Sequence, residues 1–258
     1  MKLADLLAMK TRGEKIAVLT CYDASFATLC ENAGVDVLLV GDSLGMTLQG
    51  AKDTLGVTLA EMAYHTRMVV AGAKQCYIVA DLPYGSDATP ERALASARAL
   101  VDAGAHMVKL EGNKADAVRL LVENGIPVCA HLGFTPQSVH ELGGYKVQGR
   151  DAAGARKIFD DAVALEQAGA AMLVLEMIPA TLAARISHEI GMITIGIGAG
   201  PSCNGQVLVL HDMLGIYPGK SPRFARNFMA GADSIQTAIA NYVRAVKSGA
   251  FPTAAHSF

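Results

Sequence analysis

The stretch VDVLLVGDS at residues 35–43 is a short apolar run that leads directly into an acid and a hydroxyl group, Asp42 and Ser43. Four other apolar runs behave in the same way: YIVADLP (77–83) reaches Asp81, MVKLEG (107–112) carries Lys109 and Glu111, VCAHLG (128–133) carries His131, and MLVLEM (172–177) carries Glu176. Burying an ionisable group is costly unless the group is paired or bound to a metal. Five such runs therefore predict a ring of strand ends around one polar site, which we interpret as an active site.

These runs belong to a unit in which a helix-like segment, a glycine and a short apolar strand follow one another six times. The glycines are Gly34, Gly72, Gly104, Gly125, Gly169 and Gly191. Glycine accepts the left-handed backbone that ends a helix, and short strands rich in Val, Ile and Leu are typical of a sheet buried on both faces. Two more strands, at 16–23 and 206–212, bring the predicted number to eight.

Eight strands that alternate with helices in a chain of this length predict an α/β fold, a (β/α)8 TIM barrel, as one domain over residues 1–258. We expect an extra N-terminal helix at 2–11 and the last helix within 221–248. Thr58 with Glu61 predicts a capping box, and Thr89-Pro90 and Ile178-Pro179 predict proline in a first helical turn. The long connections 43–57 and 132–150 are expected to cover the site.

Composition excludes several classes of protein. The net charge of −2 with both signs mixed offers no basic face for nucleic acid or an anionic membrane. Although 52% of residues are hydrophobic, no run approaches the length of a membrane span. Asp5 interrupts any apolar core of an export signal, and the five cysteines are odd in number, so we expect a cytoplasmic protein with reduced thiols.

Three carboxylates, Asp42, Asp81 and Glu111, end three consecutive predicted strands. Gathered in one barrel mouth they would repel one another unless a cation lay among them. Oxygen ligands favour a hard ion, and few protein ligands with room for water and substrate fit Mg²⁺ best. The alternative is three unrelated acids at loop starts.

The other strand-end residues fit the chemistry of an anionic substrate. Lys109 lies on the same face of its strand as Glu111 and is suited to neutralise a substrate carboxylate or a developing oxyanion, or else it only pairs with Glu111 inside the barrel. His131 is a hydrogen-bond donor to an anion, a proton shuttle or a satisfied core histidine. Glu176 has apolar neighbours in sequence, which suits a general base better than a plain helix-start acid.

Some features carry weaker signals. The glycine-rich segment 196–200 follows the seventh strand, where many barrels bind phosphate, but it equally fits a simple turn. His65 fits packing within a helix, and His211 and Asp212 end the eighth predicted strand without an evident partner.

Long ordered motifs in the chain resemble the ketopantoate hydroxymethyltransferase family. They are VGDSLGMTLQG, TLGVTLAEMAYHTR, VADLPYGS, VKLEG, PVCAHLGFTPQS, GGYKVQG, LVLEMIP, ITIGIGAG and GQVLVLHDMLG, and the likeness extends over roughly residues 16–252. The resemblance implies a Mg²⁺-dependent barrel enzyme that converts 3-methyl-2-oxobutanoate and 5,10-methylenetetrahydrofolate to 2-dehydropantoate for pantothenate biosynthesis. It also implies a homodecamer.

The resemblance implies a role for each strand-end residue. Asp42 and Asp81 would bind the metal, with Glu111 close by through water; Ser43, Asp81, Lys109 and His131 would hold the keto acid; Glu176 would be the base. The chain departs from the family pattern at Ala71, Asp87, Asn113 and Asn204, none of them at these positions.

Three alternatives remain open at this point. The first is a Mg²⁺-dependent C–C lyase or mutase of the phosphoenolpyruvate mutase and isocitrate lyase type, although the segment after Asp81 lacks the cysteine generally found on the mobile loop of those enzymes. The second is a sugar-phosphate isomerase that uses the segment 196–200. The third is a binding scaffold that has lost catalysis.

Overall fold

The computed structural model describes residues 1–258 and contains a closed barrel of eight parallel strands in chain order. The strands are β1 (Ile16–Thr20), β2 (Val37–Val40), β3 (Tyr77–Asp81), β4 (Met107–Glu111), β5 (Val128–Gly133), β6 (Met172–Glu176), β7 (Ile193–Ile197) and β8 (Gly205–Leu208). Nearly every strand residue is buried, because the barrel interior covers one face and the helices cover the other. The predicted TIM barrel is confirmed.

Ten helices connect or flank the strands. They are α1 (Leu3–Thr11), α2 (Ala24–Asn32), α3 (Leu44–Thr47), α4 (Leu59–Gly72), α5 (Pro90–Asp102), α6 (Ala115–Glu123), α7 (Ala152–Gln167), α8 (Ala180–Glu189), α9 (Leu210–Leu214) and α10 (Ile235–Lys247), with 3₁₀ turns at Pro136–Ser138 and Ala254–His256. One connected core of 77 buried residues joins the elements. None of the helices has the length and apolarity needed to cross a bilayer.

The extra N-terminal helix is present as α1, and it lies against the amino end of the barrel. The ammonium group of Lys10 donates to the carbonyl groups of Ile190, Gly191 and Met192, just before β7, at 3.1, 2.6 and 2.6 Å. These bonds satisfy carbonyl groups at a strand start and fix α1 to the barrel.

Local signals in the sequence identified two of the three helix starts predicted from them. Thr58 and Glu61 form the predicted capping box, in which the Thr58 amide donates to the Glu61 carboxylate at 2.8 Å. Thr89 caps α5, and Pro90 is its first residue. Pro179, by contrast, is the residue before α8 rather than part of its first turn.

Helix-ending glycines were predicted correctly at four of six positions, since Gly34, Gly104, Gly125 and Gly169 have positive φ. Gly72 is different, because it is the last residue of α4 and a Cβ there would overlap the backbone of Ala24. Its role is therefore the close approach of α4 to the start of α2.

Two boundaries differ from the predictions. The first strand ends at Thr20 rather than residue 23, whereas α10 occupies Ile235–Lys247, inside the segment 221–248 that was predicted to hold the last helix. The eighth strand ends at Leu208, and residues 210–214 form α9, so His211 and Asp212 lie on a helix and not at a strand end. All five cysteines are free and buried, as expected.

Candidate active site

A cavity of about 1060 Å³ opens at the carboxyl ends of the strands. All seven residues predicted from the strand ends line it: Asp42, Ser43, Asp81, Lys109, Glu111, His131 and Glu176. Parallel pairing explains the convergence, because Asp81 is in register with Lys109 and Glu111 with His131 on the neighbouring strands. The sequence-based grouping of these side chains is therefore a property of the fold.

Lys109 and Asp81 form an ion pair inside the barrel. The Nζ atom lies 2.7 Å from Oδ1 of Asp81, and only 5% and 4% of the two side chains are exposed. Burial acts to lower the pKa of Lys109, but the surrounding carboxylates of Asp81, Glu111 and Asp42 outweigh it and raise the pKa above its ordinary value. Lys109 is therefore a permanent cation.

Asp42 lies on the other side of Asp81, whose Oδ2 atom accepts from the Asp42 amide at 3.1 Å. Gly41 permits this approach, because a Cβ there would lie 2.8 Å from the Ser43 hydroxyl and 3.5 Å from the Asp81 carboxylate. Burial, together with the charges of Asp81 and Glu111, raises the pKa of Asp42 well above its usual range. This carboxylate carries its charge at a cost that a bound cation would offset.

Gln137 was not predicted, yet it connects two of these acids. Its side-chain amide donates to Oδ2 of Asp42 at 2.8 Å and to the carbonyl of Leu82 at 3.0 Å, while its backbone amide donates to Oε2 of Glu111 at 2.9 Å. It belongs to the 3₁₀ turn after β5. The only signal in the sequence was the Thr135-Pro136 helix start that directly follows a site strand.

His131 lies between two carboxylates without a well-formed hydrogen bond to either. Its Nδ1 is 3.4 Å from Glu111 Oε1 and its Nε2 is 3.3 Å from Glu176 Oε2. Both ring nitrogens and Glu111 Oε1 are buried and lack hydrogen-bond partners. Such atoms are expected to bond to a ligand.

The ionisation of His131 follows from its neighbours. Burial and Lys109 act to lower its pKa, but Glu111 and Glu176 outweigh them and raise the pKa of His131 to about 9. Burial acts to raise the pKa of Glu111, and His131 with Lys109 outweighs it, so that pKa is lowered. An imidazolium ion and an ammonium ion thus both face the cavity at neutral pH.

Glu176 is positioned by an unusual backbone. Met177 has φ of 48°, and Gly133 on the neighbouring strand has φ of 98°. A Cβ on Gly133 would overlap the carbonyl oxygen of Glu176, which instead accepts from the Phe134 amide at 2.8 Å. The apolar setting expected for Glu176 is only partly present, since its carboxylate faces His131.

Ser43 directs its hydroxyl group to Tyr22, with 2.9 Å between the two oxygens. Tyr22 is fully enclosed, and burial raises the pKa of its phenol to about 12, so the phenol remains neutral. This contact fixes the Ser43 side chain beside Asp42 at the end of β2.

Most of the other sequence features lie outside the cavity, although Asp212 lines it. The segment 196–200 contributes no glycine to the lining, and Gly200 instead packs against Ala180 of α8. The ring of His65 bonds to the Tyr22 carbonyl at 2.7 Å, which is the expected packing role. Among the departures from the family pattern, Asp87 pairs with Lys114 at 2.6 Å and Asn113 bonds to Asp161 at 2.8 Å. None of the four departures lines the cavity.

A closed parallel barrel with buried acids, a buried ammonium group and unpaired imidazole nitrogens at its carboxyl end defines a TIM-barrel enzyme that acts on small molecules. The model of the ketopantoate hydroxymethyltransferase family matches residues 1–254. The chain belongs to this family.

Full-length relatives agree with the family model. The chain is 62% identical over 261 residues to a 3-methyl-2-oxobutanoate hydroxymethyltransferase of Methylobacillus flagellatus, with all of both chains covered. It is 60% identical to the Azoarcus protein of the same name, covering 99% of this chain and 96% of the relative. The expectation of a hydroxymethyltransferase from the sequence motifs is therefore confirmed.

Solved structures of similar fold come from another group of enzymes. A phosphonomutase-like protein of Burkholderia cenocepacia superposes with a TM-score of 0.66 at 16% identity, covering 83% of this chain and 95% of that one. A phosphonopyruvate hydrolase solved with oxalate and Mg²⁺ has a TM-score of 0.61 at 11% identity, with 81% of each chain covered. At such identity the likeness concerns the barrel alone.

Proposed function

We propose that the protein transfers a hydroxymethyl group from 5,10-methylenetetrahydrofolate to 3-methyl-2-oxobutanoate and releases 2-dehydropantoate, with water supplying the hydroxyl oxygen. The observation that carries the proposal is the position of Glu176 beside His131 in the cavity that also holds the Lys109–Asp81 pair. Glu176 supplies a proton acceptor, and Lys109 supplies positive charge for a keto acid. Membership of the family supports the same substrates.

The donor set suits a divalent cation. Asp42 and Asp81 present buried carboxylates, Glu111 has an oxygen without a partner, and all are hard oxygen ligands. No group of three His, Cys, Asp or Glu side chains is placed to hold an ion without help. We therefore assign Asp42 and Asp81 as ligands and Glu111 as a neighbour that acts through water, which leaves positions for the keto acid. A phosphonopyruvate hydrolase of similar fold was solved with oxalate and Mg²⁺, which supports Mg²⁺ as the ion.

When bound, such an ion supplies Lewis-acid polarisation of a 2-keto acid. Lys109 and Ser43 bind the carboxylate and ketone oxygens, and His131 donates to the substrate anion from one of its unpaired nitrogens. Glu176 accepts the proton from C3. Lys109 stabilises the negative charge that develops on the ketone oxygen. Water cleaves the methylene bridge of the folate to give formaldehyde and tetrahydrofolate, and C3 attacks the formaldehyde carbon. The oxygen of the new hydroxymethyl group then takes up the proton that Glu176 removed.

Proton exchange at C3 tests the keto-acid half of the proposal without the folate. In D₂O, NMR should show Mg²⁺-dependent loss of the C3 proton of 3-methyl-2-oxobutanoate in the wild type. The Glu176→Gln variant should exchange about 10²–10⁴ times more slowly, since a general base contributes that much. The control variant Glu189→Gln, which replaces a surface carboxylate on α8, should exchange the C3 proton at the wild-type rate.

Two outcomes would contradict the assignment. Equal exchange rates in the wild type and Glu176→Gln would remove Glu176 as the base. No exchange in the wild type, without and then with folate, would favour a lyase-type reaction on the same barrel.

We also propose that the protein is a single-domain, cytoplasmic homodecamer. The single connected core supports one domain, and exposed apolar side chains such as Leu48, Tyr64 and Tyr84 offer contact area for assembly. Light scattering after size-exclusion chromatography should give about ten times the chain mass. A monomer or dimer at micromolar concentration would contradict the decamer.

A further inference from the structure

The active-site cavity contains a carboxyl group that the keto-acid chemistry does not use. Asp212 lies on α9, directly after the eighth strand, and lines the same cavity as Lys109 and Glu176. No hydrogen bond or salt bridge satisfies its side chain. Burial alone raises its pKa to about 6, and no cation offsets that effect. An acceptor that is partly desolvated without a partner indicates a ligand contact.

Asp212 lies in the first turn of α9, where the helix dipole favours a carboxylate, but no hydrogen bond fixes its side chain to the helix. Leu210, Met213 and Leu214 anchor α9 in the core, and the Leu210 amide donates to the Thr20 hydroxyl at 2.9 Å. Gly215, with φ of 67°, ends the helix. The fold therefore holds α9 in place through apolar contacts and backbone bonds, and Asp212 is left to face the cavity.

Positive charge lines the solvent side of the same cavity. Lys52, Lys146, Arg150, Lys220 and Arg223 are all exposed, and none of the five forms a salt bridge. A ligand that fits both parts must therefore offer hydrogen-bond donors at one end and negative charge at the other. The cavity volume of about 1060 Å³ also exceeds the needs of a five-carbon keto acid.

We propose that Asp212 binds the pterin ring of the one-carbon donor. The 2-amino group and the adjacent N3–H of a reduced pterin are two parallel donors, which match the two oxygens of one carboxylate. The glutamate carboxylates at the other end of the donor then lie among Lys52, Lys146 and Arg150. This inference rests on the proposed function, because it takes the donor to be 5,10-methylenetetrahydrofolate.

Equilibrium binding measurements distinguish contacts to the pterin end of the donor from contacts to its glutamate end. Isothermal titration calorimetry with tetrahydrofolate should show affinity reduced roughly tenfold or more in Asp212→Asn, because an unmatched amide replaces a charge-assisted acceptor. Binding of p-aminobenzoylglutamate, which lacks the pterin, should be equal in the variant and the wild type. That equality also verifies that the variant is folded. Asp53→Asn removes a negative charge from the neighbouring covering loop, outside the cavity lining, and should bind tetrahydrofolate as the wild type does.

Steady-state kinetics supply a second readout. Asp212→Asn should raise KM for methylenetetrahydrofolate roughly tenfold while KM for the keto acid stays within about twofold, because the loss concerns binding of the donor. Equal tetrahydrofolate affinity in Asp212→Asn and wild type, with folate-dependent turnover intact, would overturn the role of Asp212 alone. A wild-type protein that exchanges C3 but neither binds tetrahydrofolate nor uses the folate would overturn this inference together with the folate half of the proposed function.

Discussion

Two lysine–aspartate pairs of almost equal length lie at opposite ends of the barrel. At the amino end, Lys247 of α10 lies 2.6 Å from Asp36, which also accepts from the Ala17 amide at 2.8 Å. At the carboxyl end, Lys109 lies 2.7 Å from Asp81. The first pair joins α10 to the strand starts and is partly hydrated, with 38% of the Lys247 side chain exposed. The second is dry and borders buried polar atoms of Glu111 and His131 that have no hydrogen-bond partner in the protein.

This difference indicates that the two ends of the barrel have different roles. Charges at the amino end complete their hydrogen bonding within the protein and contribute to stability. Charged groups at the carboxyl end lack part of their hydrogen bonding. The free energy lost on burying them is therefore regained only when a ligand is bound.

The largest effect is expected for Asp42→Asn. Activity should fall more than about a hundredfold, since a proposed metal ligand is lost. The metal-free protein should nevertheless melt at a higher temperature. The folded state raises the pKa of Asp42, so its ionisation costs stability as the pH rises above the ordinary range, and the neutral amide removes that cost.

Asp36→Asn should do the opposite, with turnover unchanged and the free energy of unfolding reduced by about 1 kcal/mol for a partly hydrated pair. Calorimetry in EDTA measures the free energy of unfolding, and steady-state assays measure the turnover.

His131→Gln should lose far less activity than Asp42→Asn, and equal residual activities in these two variants would contradict the assignment of Asp42 as a metal ligand.

Replacing each lysine in turn tests which of the two ion pairs responds to metal binding. Lys109→Met leaves Asp81 and Asp42 without their cation, so the metal-free variant should be destabilised, and Mg²⁺ should raise its Tm more than it raises that of the wild type. Lys247→Met should lower Tm modestly with no added response to Mg²⁺. The same Mg²⁺ response in both variants would show that the carboxylates at the mouth are not the metal site.

A smaller effect concerns pH. Because the folded state raises the pKa of His131 to about 9, its protonation stabilises the fold fully below about pH 6.5, and this contribution is lost as the pH rises through about 9. Metal-free wild type should therefore lose more Tm between pH 6.5 and 9.5 than His131→Gln does. The surface variant His188→Gln should follow the wild type, and a parallel slope in His131→Gln would refute the ion-pair arrangement.

The smallest effect is expected in the loop 132–150. The Tyr145 ring packs against Phe134 with 4.8 Å between centroids, and its hydroxyl lies 3.6 Å from the sulfur of Met46 in the other covering loop. We predict that Mg²⁺ and the keto acid slow amide exchange in residues 140–150, while exchange near Asp36 stays the same. Unchanged exchange in the loop would argue against its closure over substrate.

The sequence predicted the barrel and the seven strand-end residues well, since both depend on a short-range pattern. A buried strand that ends in an ionisable residue is visible without knowledge of distant contacts, and parallel strands place such ends together. The positions of these residues in the cavity agree with that prediction, and their chemical roles stay predictions.

Features that depend on tertiary contacts were missed. Nothing in the local sequence of Gln137 shows that a loop glutamine reaches Asp42, which lies 95 positions earlier. Asp212 was placed on a strand because QVLVL continues its apolar pattern into α9, and a short helix has too few residues to show its own periodicity. The start of the last helix within 221–248 was not predicted, although Pro222 and Gly231 favour turns in the part that precedes α10.

The left-handed backbone at Met177 and the bare Cα of Gly133 have a practical meaning for redesign. They fix the direction of Glu176 through the main chain and not through the shape of the side chains around it. Cavity walls such as Val174, Ile197 and Val207 could then be trimmed to admit bulkier 2-keto acids while the base keeps its orientation. The same geometry makes position 133 intolerant of any substitution, so a library for altered substrate range should vary those walls and leave that glycine untouched.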